Sequence, residues 1–264
     1  MNRIDAVFAC LRRKKRKALI AYLTAGYPSL RATAELVKVL AGEGVDLIEL
    51  GLPFSDPLAD GPTIQAASQW ALKQGTTTAS VFHLVERLRR GGLDLPIAVM
   101  TYYNPVHRYG VREFCRASRR SGVDGIIVPD LPPEEAGDLV RAARPAGIDT
   151  IFLAAPTSPP SRIREIARLS RGFIYYVSLT GVTGARAGLP AETASHVRAI
   201  KRGTRLPVCV GFGISRPAQV ARVVRTADGV IVGSALISLI RRSGRNGTRA
   251  AAAFIRGLRR ACHG

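Results

Sequence analysis

The chain has 264 residues, 47% of them hydrophobic and 22% charged, enough to bury a sizeable core in one large α/β domain. No run approaches the roughly 18 consecutive apolar residues that a bilayer-spanning helix needs, which excludes such a helix and leads us to expect a cytoplasmic protein. Lys and Arg number 39 against 19 Asp and Glu, a formal net charge of +20 that is unusual for an enzyme of small metabolites and raises nucleic-acid binding as a competing reading.

Along the chain, short β-branched or apolar runs alternate with longer helical patterns, the signature of repeated βα units around a parallel sheet. A helix over residues 4–13 precedes the first strand, 18–23, and is expected to close the floor of a barrel. The basic cluster at 12–17 followed by that apolar run could pass for a signal peptide. However, Thr24-Ala25-Gly26-Tyr27-Pro28-Ser29 reads as a strand-to-helix turn without a cleavage site. Ser29 is placed to cap a helix with Leu30, Ala34, Val37 and Leu40 on one face. A strand at 46–50 follows. The stretch from Gly61-Pro62 to Arg90 is too long for one crossover helix, so two are predicted, broken near Gly75-Thr76. After strands at 96–101 and 125–128, Pro133 suits a first helical turn with Glu134 and Glu135 at its positive end. Strands at 150–153, 173–177, 207–210 and 229–232 complete eight. A terminal helix then sets Phe254, Ile255, Leu258 and Cys262 on one face, its arginines toward water. Eight strands without a linker or composition break predict a single parallel (β/α)8 TIM barrel over residues 1–264.

Cys10, Cys115, Cys209 and Cys262 lie far apart with no CxxC pair, which points to reduced, mostly packed thiols. His83, His107 and His196 have no second ligand at metal spacing and His263 is in the tail, so no metal is expected. The dense basic clusters at 12–17 and in the acid-free tail, 241–260, lack aromatics interleaved to stack bases. Solvated helix faces are therefore the preferred account of the charge, with nonspecific polyanion binding as a side effect.

In such barrels the working residues sit in the loops that follow the strands. Glu49 interrupts the apolar run Leu47-Ile48-Glu49-Leu50. A carboxylate in a low-dielectric mouth has a raised pKa and suits proton transfer, the alternative being a buried acid paired with a cation. Asp56 and Asp60 lie in a Pro- and Gly-rich loop, where turn capping is the alternative. Thr180-Gly181-Val182-Thr183-Gly184-Ala185, Gly211-Phe212-Gly213-Ile214-Ser215 and Gly233-Ser234-Ala235 let backbone N–H groups approach an anion. A helix beginning at Ser234 would aim its positive end at it, as in the phosphate sites that barrels place after their seventh and eighth strands; plain tight turns are the alternative.

The order Glu49…Pro53-Phe54-Ser55-Asp56-Pro57…Asp60-Gly61-Pro62 resembles the signature of tryptophan synthase alpha chains. The likeness continues through Tyr102-Tyr103-Asn104-Pro105, Val128-Pro129-Asp130-Leu131-Pro132-Pro133-Glu134-Glu135, Ala155-Pro156-Thr157, Tyr175-Tyr176-Val177-Ser178, Gly181-Val182-Thr183-Gly184 and Gly211-Phe212-Gly213-Ile214-Ser215. It implies retro-aldol cleavage of indole-3-glycerol phosphate to indole and glyceraldehyde 3-phosphate. Glu49 would be the acid/base group, Asp60 would hold the indole N–H, and Tyr175 would line the pocket beside them. Tyr22, Met100, Ile127 and Phe212 would wall the indole ring, and Gly184, Gly213, Gly233 and Ser234 would hold the phosphate through backbone N–H groups. No cofactor is implied in this chain. The partner would be a beta chain carrying pyridoxal phosphate, in an alpha2-beta2 complex. Loops at 53–60 and 180–189 would close over substrate, with Asp56, Pro57 and Pro132 as partner contacts. Tyr27 and Thr101 depart from the usual family pattern, at the substrate mouth or the partner surface. The alternatives are another phosphate-handling barrel, a stand-alone indole-releasing lyase, and a catalytically silent scaffold that activates the beta chain.

Overall fold

A computed structural model describes residues 2–177, 192–211 and 213–263. The apolar runs form β1 Ala18–Thr24, β2 Leu47–Gly51, β3 Ile97–Met100, β4 Gly125–Ile127, β5 Asp149–Ile151, β6 Leu153–Ala154, β7 Ile174–Val177, β8 Val208–Gly211 and β9 Gly229–Val232. Every ladder is parallel, and the order is β5-β4-β3-β2-β1-β9-β8-β7-β6. The two ends of that order, β5 and β6, are separated in the chain by Phe152 alone. They are one strand whose first half pairs with β4 (Gly125 opposite Asp149) and whose second half pairs with β7 (Leu153 opposite Tyr175). The sheet thus closes as the expected eight-stranded barrel through a strand divided at Phe152. The division fits the stagger that strand tilt imposes on a closed sheet, where a strand's two edges find their partners at different heights.

The helices are α1 Arg3–Arg13, α2 Leu30–Gly42, α3 Pro62–Lys73, α4 Thr78–Arg90, α5 Tyr103–Tyr109, α6 Val111–Ser121, α7 Gly137–Ala146, α8 Pro160–Leu169, α9 Glu192–Arg202, α10 Pro217–Val223, α11 Ser234–Ser243 and α12 Gly247–His263. Ser29 caps α2 by accepting from Ala32 N at 3.1 Å. The expected break between α3 and α4 passes through Gly75 at φ +76°, and Thr77 and Ser80 form a reciprocal cap for α4. Pro133 opens a 3-10 turn, Pro133–Glu135, ahead of α7. On α12, Ile255, Leu258 and Cys262 are buried against the barrel while Phe254 is half-buried. All four cysteines are free, Cys10 half-buried and the rest buried.

Residues two apart on a strand share a face, so Ile20, Leu47, Ala98, Ile127, Ile151, Tyr175, Cys209 and Ile231 fill the barrel interior. Helix α1 plugs the end where the strands begin, adding Ile4, Phe8 and Leu11 to that cluster, with Phe8 against Phe173 at a centroid distance of 5.7 Å. Asp124 fastens this floor: it accepts from Arg3 at 3.0 Å, from Arg89 at 2.7 Å and from Ile97 N at 2.9 Å. No described helix is long and apolar enough to cross a membrane.

Candidate active site

Glu49 enters the barrel because β2 alternates, with Leu47 and Glu49 inward and Ile48 and Leu50 packed outward against the helices. Its residue exposure is 0%, and neither carboxylate oxygen has a hydrogen-bond partner among the described residues. The alternative of a cation-paired acid is therefore not what the fold builds. Burial first, and then the charge of Asp60, push Glu49 up to about 8. Asp60 ends the loop after β2, its N–H bonded to Pro57 O at 3.0 Å and its carbonyl accepting from Gln65 Nε2 at 2.8 Å. Its carboxylate accepts from the Tyr102 hydroxyl at 3.1 Å. Burial raises Asp60 to about 6, against the lowering effect of the Tyr102 hydrogen bond. The pair thus holds one proton between about pH 6 and 8, with Asp60 the ionised member and Glu49 the protonated one.

Tyr102 is a site residue that the sequence reading passes over. Its oxygen also accepts from Ala59 N at 3.0 Å, and its ring stacks on Phe54 at 5.3 Å, so it holds both ends of the loop that carries Asp60. No local pattern could reveal a hydroxyl 42 residues away in sequence reaching that carboxylate.

Two buried tyrosines flank the pair and lean the same way. Tyr22 lies opposite Glu49 across the β1–β2 ladder, and its ring covers Gly51, where a Cβ would stand 2.1 Å from the hydroxyl oxygen. Tyr175 on β7 likewise covers Gly211 on β8, where a Cβ would stand 2.5 Å from its oxygen. Each glycine is one inward position nearer the mouth than the tyrosine's own ladder partner, so both hydroxyls crown the interior. Met100, half-buried, faces Ile127 across the β3–β4 ladder. Of the expected walls, Tyr22, Met100 and Ile127 thus occupy inward positions on β1, β3 and β4, and Tyr22, like Tyr175, presents a polar tip as well as a ring face.

On the far side of Tyr22, Gly233 precedes α11 and accepts the first helical bond from Ile237 N at 3.0 Å, leaving the first-turn N–H groups, that of Ser234 included, without intrahelical acceptors. Gly213 has φ +73°, and its carbonyl accepts from Gln219 Nε2 at 3.1 Å. Gln219 Oε1 takes the N–H groups of Ser215 and Arg216, each at 2.9 Å, so this side chain sets the loop after β8. Gly184, Phe212 and the 180–189 loop fall outside the described residues.

At the rim, Asp56 is exposed and accepts from the Ser55 hydroxyl, and Pro132 is half-buried. Pro57, expected as a partner contact, is buried in the chain itself, while its neighbour Leu58 is 93% exposed. No group of three potential metal ligands occurs among the described residues.

The family model for the tryptophan synthase alpha chain matches residues 8–261. The chain is 49% identical over 262 residues to the tryptophan synthase alpha chain of Geobacter sulfurreducens, covering 99% of each. Its fold matches tryptophan synthase subunit alpha of Legionella pneumophila with TM-score 0.92 at 37% identity, covering 99% of this chain and 98% of that one. A chain of the tryptophan synthase a2b2 complex of Pyrococcus furiosus matches with TM-score 0.87 at 44% identity, over 92% and 98% of the two chains.

Proposed function

We infer, for a chain that belongs to the tryptophan synthase alpha-chain family, how its carboxylate pair cleaves indole-3-glycerol phosphate to indole and glyceraldehyde 3-phosphate as a carbon–carbon lyase. The observation that carries the assignment is Glu49, fully buried, without a hydrogen-bond partner at either oxygen among the described residues, and raised to about 8 beside an ionised Asp60. Protonated Glu49 delivers its proton to indole C3. Positive charge then develops on the ring nitrogen, and the Asp60 carboxylate accepts the N–H there and balances that charge. The Glu49 carboxylate next takes the proton of the hydroxyl on the adjoining carbon. The C3–carbon bond breaks, its electron pair returns to the ring, and the hydroxyl oxygen becomes the aldehyde. Glu49 ends protonated, ready for the next turnover. Tyr102 keeps Asp60 aimed and ionised. The phosphate rests on backbone N–H groups at the start of α11 and in the Gly213 loop, where dipole and unpaired donors both favour an anion.

The Pyrococcus furiosus relative is a chain of an a2b2 complex, and the rim of the mouth here supports the same pairing. Leu58 offers an apolar contact next to Asp56, and an exposed large side chain of this kind is stabilised when a partner covers it. Pyridoxal phosphate belongs to the beta chain's own reaction, and every step above uses only residues of this chain.

Single-turnover indole release from indole-3-glycerol phosphate, with saturating beta chain, tests the assignment. Glu49→Gln should lose about 10²–10⁴-fold of the rate while still binding substrate. Substantial cleavage by that variant would sink the mechanism. A wild type that releases no indole yet stimulates the beta reaction would identify a scaffold instead.

A further inference from the structure

We propose that the Tyr22 hydroxyl binds the hydroxylated three-carbon chain of the substrate, turning the hydroxyl next to the scissile bond toward Glu49. This rests on the reading of the site as one for indole-3-glycerol phosphate.

The placement of the ring carries the argument. Tyr22 and Glu49 are Cα partners, both directed into the barrel, so the ring starts beside the proton carrier. It then leans over Gly51, and its other edge meets Gly233, where a Cβ would lie 3.2 Å from Tyr22 Cβ and 3.4 Å from Cγ and Cδ1. One ring therefore touches the strand of the acid and the residue that caps the start of α11. A ligand whose indole lies at Glu49 and Asp60 and whose phosphate lies at α11 must lay its middle atoms along this ring. Those atoms bear the two chain hydroxyls.

The polarity of the hydroxyl agrees. Tyr22 is 5% exposed, and its oxygen accepts from the Thr24 hydroxyl at 3.4 Å. With the oxygen used as acceptor, the phenolic hydrogen is left to donate, and it has no acceptor among the bonds of the described residues. Burial, followed by the charge of Asp60, raises the phenol well above its ordinary range, so it remains a donor throughout the working pH. A purely apolar wall would be served by a phenylalanine; a buried donor without a partner is costly unless the ligand supplies one.

The test is Tyr22→Phe, which keeps the ring and removes only the hydroxyl. Affinities are measured by calorimetry in a Glu49→Gln background, so that substrate is not consumed. Two ligands are compared: indole-3-glycerol phosphate, and indole-3-propyl phosphate, which keeps ring, chain length and phosphate but lacks both chain hydroxyls. The variant should bind the first about 3- to 10-fold more weakly and the second unchanged, the size expected for one neutral hydrogen bond. In the Glu49 protein, kcat should fall as well. Equal loss for both ligands would assign Tyr22 a packing role, and loss for neither would remove the hydroxyl from recognition; either outcome overturns the proposal. If the parent protein bound neither ligand, the substrate reading itself would fall.

Discussion

The barrel buries an acid at each end and treats the two in opposite ways. At the floor, Asp124 is 1% exposed, and its oxygens are engaged by two arginines and the Ile97 N–H. Arg89 is itself bound by the carbonyls of Leu93, Leu95 and Gly122 at 2.7, 2.7 and 3.0 Å. At the mouth, Glu49 is equally buried with no hydrogen-bond partner among the described residues. A buried carboxylate is costly unless paired, so pairing makes the first a structural rivet while isolation stores in the second a tendency to hold its proton. Burial alone does not mark a candidate for proton transfer. Asp149 lies at the floor with one unpartnered oxygen and is raised to about 7, by burial first and then Asp5, yet it faces α1 and no opening. Position at the mouth separates it from Glu49.

Three measurements test this opposition between floor and mouth. The largest effect is expected for Asp124→Ala, which strands Arg89 in a buried setting and should cost about 3–5 kcal/mol of stability in denaturant unfolding. Indole release per folded molecule should stay the same; a stable variant with lost catalysis would reverse the roles given to the two ends. Next, Glu49 makes stability depend on pH. Its folded pKa of about 8 exceeds the value of 4.5 it has when free, so the native state holds the extra proton between them. Stability is full below about 4.5 and declines as pH rises through 8, by a few kcal/mol at most. Glu49→Gln should flatten that slope, and parallel pH curves for the two proteins would show that Glu49 is not held protonated by the fold. The smallest effect belongs to Tyr102→Phe. Losing this donor raises Asp60 above its present value of about 6, so the acid limb of the kcat profile should move alkaline. A shift of somewhat under one pH unit is expected from about 1 kcal/mol of hydrogen bonding. An unmoved limb would leave Tyr102 only its loop contacts, the bond from Ala59 N and the packing on Phe54.

Much of this was legible in the chain because the relevant forces are local. Alternation placed the strands, Ser29 and Gly75 marked helix boundaries, and Glu49 stood out as one charge in an apolar strand. Contacts made across the barrel left no such trace. Asp124 sits before a glycine, where an acid usually serves a turn, and its arginine partners are 35 and 121 residues away. Gln219 looks like an ordinary residue of a short helix, and nothing in Pro57-Leu58 says which of the two is buried. The split at Phe152 depends on barrel stagger, which is a property of the closed sheet. The basic tail lacks interleaved aromatics only as a linear string: the fold sets Tyr27 against Trp70 at 6.4 Å and within the electrostatic reach of Arg241.

Helix α1 fills the floor with Ile4, Phe8 and Leu11, which makes the barrel a well rather than a tube. With the floor filled, two products of opposite character, a flat apolar heterocycle and a phosphorylated aldehyde, are both directed toward the mouth end. In the proposed binding mode the phosphate end lies at the rim around α11, whereas the indole lies deeper, against Glu49 and Ile127. Departure is therefore a queue: the charged fragment stands nearer the exit, and the indole leaves through whatever then stands over the opening. A filled floor thus hands control of the traffic to whichever surface covers the mouth.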